Sequence, residues 1–218
     1  MPARFQQDLD ALKAQLLDMA RLAEAAVSRA VTAFQTSDDS LARSVIADDC
    51  RLDTLEKEID DRAIQLLARA PLASDLRLVA VAMKICHDLE RVGDEASTIA
   101  RQVAELGAAT RPETGGRLPK MAEQALGMLH RALEAFVSGQ SMAARAIIPE
   151  DKIIDSANRE LHAELRALMV AKQAGVAACL NVMTISKSLE RIGDHAKNIA
   201  EEVVFLHEGR DIRHSAGR

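Results

Sequence analysis

Aromatic residues are almost absent: the 218 residues include four Phe and neither Trp nor Tyr. Sheets rely on aromatic and β-branched side chains, so helices packed on helices are expected instead. Cysteine is scarce too. Cys50, Cys86 and Cys179 are odd in number, widely spaced and free of any CxxC pair. That argues against a disulfide framework or a zinc site and suits small buried residues in a reducing compartment. Positive charge is not in excess, since 28 Lys and Arg face 33 Asp and Glu for a formal net charge of −5. No basic run makes a local exception, so nucleic-acid binding is not expected. No apolar run approaches the ~20 residues that span a bilayer. The opening MPARFQQDLDALKAQ lacks the apolar core of a signal peptide. A soluble, cytoplasmic protein is expected, touching membranes only indirectly.

What the chain does have is Ala, Leu, Glu, Lys, Arg, Gln and Met, all good helix formers. Breaks fall at 36–40, at Ala70-Pro71, across TRPETGGRLP at 110–119, at Ser138-Gly139 and near Gly175. Between them the pattern predicts six long antiparallel helices, over roughly 3–36, 38–69, 72–108, 118–137, 140–172 and 176–208. A helix of ~32 residues is about 48 Å long, which points to an elongated bundle. In the third segment Leu89, Val92, Ala96, Ile99, Val103 and Leu106 step by three and four into one apolar stripe. The sixth repeats this at Leu189, Ile192, Ala196, Ile199, Val203 and Leu206.

The chain repeats itself. Arg29-Ala30-Val31-Thr32-Ala33-Phe34 reads like Arg131-Ala132-Leu133-Glu134-Ala135-Phe136, and the register runs on to carry Asp49 onto Asp151 and Asp53 onto Asp155. Further on, MKICHDLERVGDEASTIARQV from Met83 matches MTISKSLERIGDHAKNIAEEV from Met183. Two matches in the same order are hard to attribute to generic helix composition. The expected organisation is an all-α protein of two tandem three-helix-bundle repeats. The first is 1–109 and the second 118–208, with a linker at 110–117 and a frayed tail at 209–218.

Four carboxylate pairs stand out at i, i+4 spacing: Asp49/Asp53, Glu90/Asp94, Asp151/Asp155 and Glu190/Asp194. This spacing puts both acids on one helix face, where like charges cost roughly 0.2–0.5 kcal/mol per pair. Hard cations take oxygen ligands, and two carboxylates one turn apart suit such an ion. On a helical wheel Glu90 and Asp94 lie near about +100° and +140° from Leu89, away from the stripe centred near about −40°. If the second and third helices are neighbours, the four acids of one copy converge on a surface groove. Gly93 and Gly193 sit mid-helix, where glycine costs ~1 kcal/mol against alanine. A close ion or a close backbone would give that cost a reason.

The plainer alternative is a set of ordinary solvated acids, neutralised by Arg91 and Arg191, but repetition in both copies favours metal. Other candidates are weaker. His87 and His195 do not recur in the opposite copy and read as surface residues. Cys50 lies inside the first pair, but Lys152 fills the equivalent position. Pro149 stands where the first copy has Ala47 and predicts a tolerated kink in the fifth helix. No nucleophile–base arrangement, phosphate-cradling glycine loop or nucleotide fingerprint is present.

LERVGDEASTIA at 89–100 and LERIGDHAKNIAEEVVFLHEGRDIRH at 189–214 resemble the hallmark segments of the PhoU family of phosphate-signalling regulators. The family pattern is an acidic residue, three others and Asp, twice per three-helix repeat. All four instances are here, although the first copy has Glu95 where the second has His195. The resemblance runs from Phe5 to His214. It implies a cytoplasmic, often homodimeric, non-enzymatic protein that represses phosphate uptake and the phosphate-starvation (Pho regulon) response. It implies an adaptor between the ATPase of a phosphate importer and a sensor histidine kinase. It also implies divalent or trivalent metal ions (iron, zinc, manganese or magnesium) on Asp49, Asp53, Glu90 and Asp94 in one copy and Asp151, Asp155, Glu190 and Asp194 in the other. Two rival readings remain. One is a carboxylate-bridged metalloenzyme or metal-storage bundle, which needs Glu-x-x-His on inward faces. The other is a plain helical scaffold.

Overall fold

The computed structural model describes residues 3–70, 72–107 and 112–213. Pro71, the linker residues 110–111 with the adjoining 108–109, and the last five residues of the expected tail, His214 among them, lie outside the described residues. Among those described, all regular structure is helical. The elements are α1 (Ala3–Thr36), α2 (Asp39–Asp48), α3 (Cys50–Leu67), α4 (Ala73–Leu106), α5 (Arg117–Ser138), α6 (Ser141–Ile147), a 3-10 turn (Ile148–Glu150), α7 (Asp151–Val170) and α8 (Val176–Glu208). Six rods carry these elements, and two of the six are broken.

Both breaks fall at the acidic pairs. In the first copy the helical ladder falters at Asp49, whose backbone stays right-handed helical (φ −55°, ψ −43°). The Leu52 N–H donates to the Asp49 carbonyl at 2.9 Å, an i to i+3 bond in place of i to i+4. In the second copy Pro149 has no N–H to give, and a 3-10 turn stands there. The expected continuous helix over 38–69 is therefore corrected. Proline alone does not cause the hesitation, because the first copy has it without one. Equivalent ion pairs brace both breaks from the first helix of each copy: Arg29 to Asp48 at 2.7 Å, and Arg131 to Glu150 through two bonds at 2.6 and 2.7 Å. Upstream, Asp38 caps α2 by accepting from the Leu41 N–H at 2.9 Å.

The apolar stripe expected on α4 is buried along its whole length, and on α8 all but the half-buried Leu206. On α1, Leu9, Leu12, Leu16, Met19, Ala23, Val27 and Ala30 supply the facing stripe. Each fully buried Leu or Ile contributes roughly 1.5–3 kcal/mol of transfer free energy. The two repeats share one continuous core, because α4 and α8 pack along each other. They run antiparallel: Arg77 near the start of α4 donates to the Leu206 carbonyl near the end of α8, and Glu95 further along α4 meets Arg191.

This seam is more polar than its stripes suggest. His195 Nδ1 lies 2.9 Å from Asp88 Oδ1, with both side chains largely buried. Arg191 reaches Glu95 at 3.0 Å and Lys84 reaches Glu202 at 3.0 Å. His195 is thus a seam residue and not the surface histidine expected. Arg191 is committed across the seam, away from the glutamate beside it. The tail beyond Gly209 starts out ordered, since Arg213 chelates Asp211 and approaches Glu202 at 3.3 Å.

Candidate metal centres

Two glycines set the geometry. A Cβ on Gly93 would stand 2.3 Å from Leu52 Cδ1, with Asp49 Oδ1 at 3.8 Å. A Cβ on Gly193 would stand 2.8 Å from Ile154 Cδ1, and Ile154 is the repeat equivalent of Leu52. The missing side chains let α3 lean onto α4 and α7 onto α8. The close neighbour expected from sequence is a buried aliphatic side chain. Its effect is to bring the acids on the second rod against those on the third.

In the second repeat the four expected acids lie near enough for their charges to act on one another. Burial, then the charges of Asp151 and Glu190, push the Asp194 carboxyl up to about 6. Burial and the same two neighbours raise Asp155. Asp151 is only 5% exposed, so the nest is deeper than the surface groove expected. Lys197 stands inside it, donating to Asp151 Oδ2 at 2.8 Å. The other Asp151 oxygen is buried with no hydrogen-bond partner. Lys187 covers the rim, with its ammonium hydrogen-bonded to Glu190.

In the first repeat the acids meet more loosely. Burial raises the Asp49 carboxyl, with Asp94 and Asp53 adding to it, while a hydrogen bond from Ser97 opposes them. Glu90 is raised by burial, then by Asp94 and Glu56. Asp53 is exposed. Arg91 neutralises part of the charge from outside, at 3.1 Å from Asp94 and 3.4 Å from Glu90 Oε2. That glutamate oxygen is buried and still lacks a hydrogen-bond partner. Ser97 occupies the position that Lys197 fills in the second copy.

Both nests offer a cation oxygen donors, although no three donor atoms of either expected quartet lie within 4.8 Å of one another. Each nest is built of hard oxygen donors, each holds a buried carboxylate oxygen with no hydrogen bond, and in each burial, with mutual repulsion after it, raises carboxyl pKa values. The donor oxygens of neither expected quartet are all drawn together within ligating range. Among the described residues, the one set whose donor atoms all lie within 4.8 Å of one another is Glu56, His87 and Glu90. Sequence reading missed Glu56, whose repeat equivalent is Asn158. It also set His87 aside, although His87 and Glu90 share a helix face at i, i+3.

Six rods in two repeats, with an acidic nest where the second and third rods of each repeat cross, define a class of two-repeat helical proteins built around carboxylate pairs. The PhoU domain family matches residues 16–103 and again 118–203. The chain belongs to the PhoU family. It is 36% identical to the phosphate-specific transport system accessory protein PhoU homolog of Burkholderia sp, over 98% of this chain and 93% of that protein. It is 32% identical to the phosphate-specific transport system accessory protein PhoU of Escherichia coli, over 98% and 89%. The crystal structure of PhoU from Pseudomonas aeruginosa superposes with a TM-score of 0.91 at 36% identity, covering 94% of this chain and 100% of that one. The phosphate transport system regulatory protein PhoU from Streptococcus pneumoniae gives 0.90 at 31%, covering 95% and 99%. No helix among the described residues is long and apolar enough to cross a membrane.

Proposed function

We propose that this protein is a negative regulator of phosphate uptake and of the phosphate-starvation response. It works without catalysis, as a cytoplasmic, homodimeric, metal-binding adaptor between a phosphate importer ATPase and a sensor histidine kinase. The observation that carries the metal part of this reading is the second-repeat nest. The charges of Asp151, Glu190 and Asp155 act on Asp194 there, and a buried oxygen of Asp151 stays without a hydrogen bond even beside Lys197. Its relatives are named as accessory proteins of phosphate-specific transport, which supports the phosphate role. Long rods with charged outer faces supply extended surfaces for partner proteins, and a cation in each nest would clamp the second rod of a repeat to the third.

The test is alkaline phosphatase output, with phosphate import, in the host grown in abundant phosphate with and without the gene. Deletion is expected to raise phosphatase output, and the intact gene to restore repression. Unchanged output and import in the deletion strain would contradict the regulatory role.

A further inference from the structure

Among the positions at which the two repeats differ beside their acidic nests, three each add a cation to the second copy or a metal donor to the first. Glu56 answers to Asn158, His87 to Lys187 and Ser97 to Lys197. Asn158 is buried and bonded to Ser186, so it is no ligand. Lys187 puts its ammonium on Glu190. In the first copy the equivalent glutamate, Glu90, faces an imidazole and a second carboxylate.

The spacing there suits a metal better than a hydrogen bond. His87 Nδ1 and Glu56 Oε1 are 3.4 Å apart, beyond the usual ~2.7–3.2 Å of an N–H···O bond. Two donors each ~2.0–2.1 Å from a tetrahedral ion stand about 3.3–3.4 Å apart. Glu90 completes the set within 4.8 Å, and its buried Oε2 has no hydrogen bond, only the Arg91 guanidinium 3.4 Å away. His87 is exposed, which leaves the ion a solvent path and room for water ligands. Two carboxylates and a neutral imidazole around a divalent ion make an electrically neutral site.

We propose that the first repeat holds one transition-metal ion on Glu56, His87 and Glu90, a mixed nitrogen and oxygen site whose place in the second repeat is taken by the Lys187 ammonium. It rests on the metal reading of the acidic motifs through Glu90 alone, since Glu56 and His87 lie outside those motifs. An imidazole donor favours zinc, cobalt or nickel over magnesium or calcium, which keep to oxygen. The two repeats therefore differ in cation chemistry: one offers a borderline transition metal an imidazole at the place where the other puts an ammonium.

The test uses metal-free full-length chain, titrated with Zn²⁺ by calorimetry and with Co²⁺ by visible absorption, with Mg²⁺ as competitor. His87→Gln and Glu56→Gln are each expected to weaken Zn²⁺ binding at one site by about tenfold or more. Asp194→Asn should leave that site unchanged, and Mg²⁺ should not displace Co²⁺ from it. Circular dichroism of the variants should match the parent, as His87 is exposed and Glu56 only half-buried. Zn²⁺ binding unaltered in either variant, or displacement of Co²⁺ by equimolar Mg²⁺, overturns the three-donor site. Loss of metal in Asp94→Asn and Asp194→Asn in the same series would then show that the motif reading survives without it. A parent chain that binds no Zn²⁺ overturns the proposal outright.

Discussion

The first and second repeats start from the same problem, four carboxylates held where the second rod crosses the third, and neutralise it differently. The second repeat supplies ammonium groups from its own third helix: Lys197 inside the nest and Lys187 at its rim. The first uses a guanidinium at the rim of its own third helix, Arg91, and an uncharged hydroxyl inside, Ser97. An internal Lys balances part of the charge within the fold, whereas a serine brings no charge of its own. The difference teaches that a repeated motif need not mean two equal sites. The residues around a carboxylate pair decide how much of its charge is left for an ion.

The largest effect that would sharpen this contrast is expected from Lys197→Met. It leaves nearly buried Asp151 without its positive partner, at a cost of ~2–4 kcal/mol. Its counterpart Ser97→Ala removes one hydrogen bond to Asp49, worth ~1 kcal/mol. Urea unfolding of both variants measures the gap; equal losses would erase the distinction between an internal and an external counter-charge.

Next come the glycines. Gly93→Val is expected to destabilise by ~1–3 kcal/mol through overpacking against Leu52. Gly193→Val should cost less, because Ile154 starts farther away. A reversed order would mean that the second crossing, not the first, is the tighter one.

A smaller effect has the opposite sign. The folded pKa of Asp194, about 6, lies above its ordinary 3.8. Its protonation therefore contributes stability that is full below about pH 3.8 and lost as pH rises through about 6. Asp194→Asn keeps the carboxyl shape without the charge. In metal-free protein at pH 7 it should stabilise by ~1 kcal/mol after discounting for solvent screening, or about 2–4 °C in Tm. Near pH 3.5 parent and variant should melt together. Asp53→Asn, on the exposed arm of the first nest, should stay within about 0.5 kcal/mol of the parent. A small destabilising effect is expected at the braces. Arg29→Ala and Arg131→Ala should each cost ~0.5–1 kcal/mol, with the two-bond Arg131 pair at the upper end. Thermal melts at low salt would detect a reversal.

Much of this was legible in the sequence. The stripe from Leu89 to Leu106 and its echo from Leu189 to Leu206 carry a period that only a helix uses, so the third rods could be placed before any coordinates. The eight acids were legible because they recur. The break at Asp49 was not, since its backbone never leaves the helical region and no proline marks it. His195 was misread for a related reason: its partner Asp88 lies on the other repeat, and wheel positions on one helix say nothing of which helix faces it. Glu56 and His87 escaped because repetition was the filter. A search for what two copies share passes over the residues in which they differ.

The most direct test of the account is equilibrium dialysis of metal-free parent, Asp94→Asn and Asp194→Asn against Mn²⁺, with bound metal measured by mass spectrometry. The account predicts less bound metal in each variant than in the parent, one nest being impaired in each. Equal metal in all three would contradict it and leave the eight carboxylates as a solvated face.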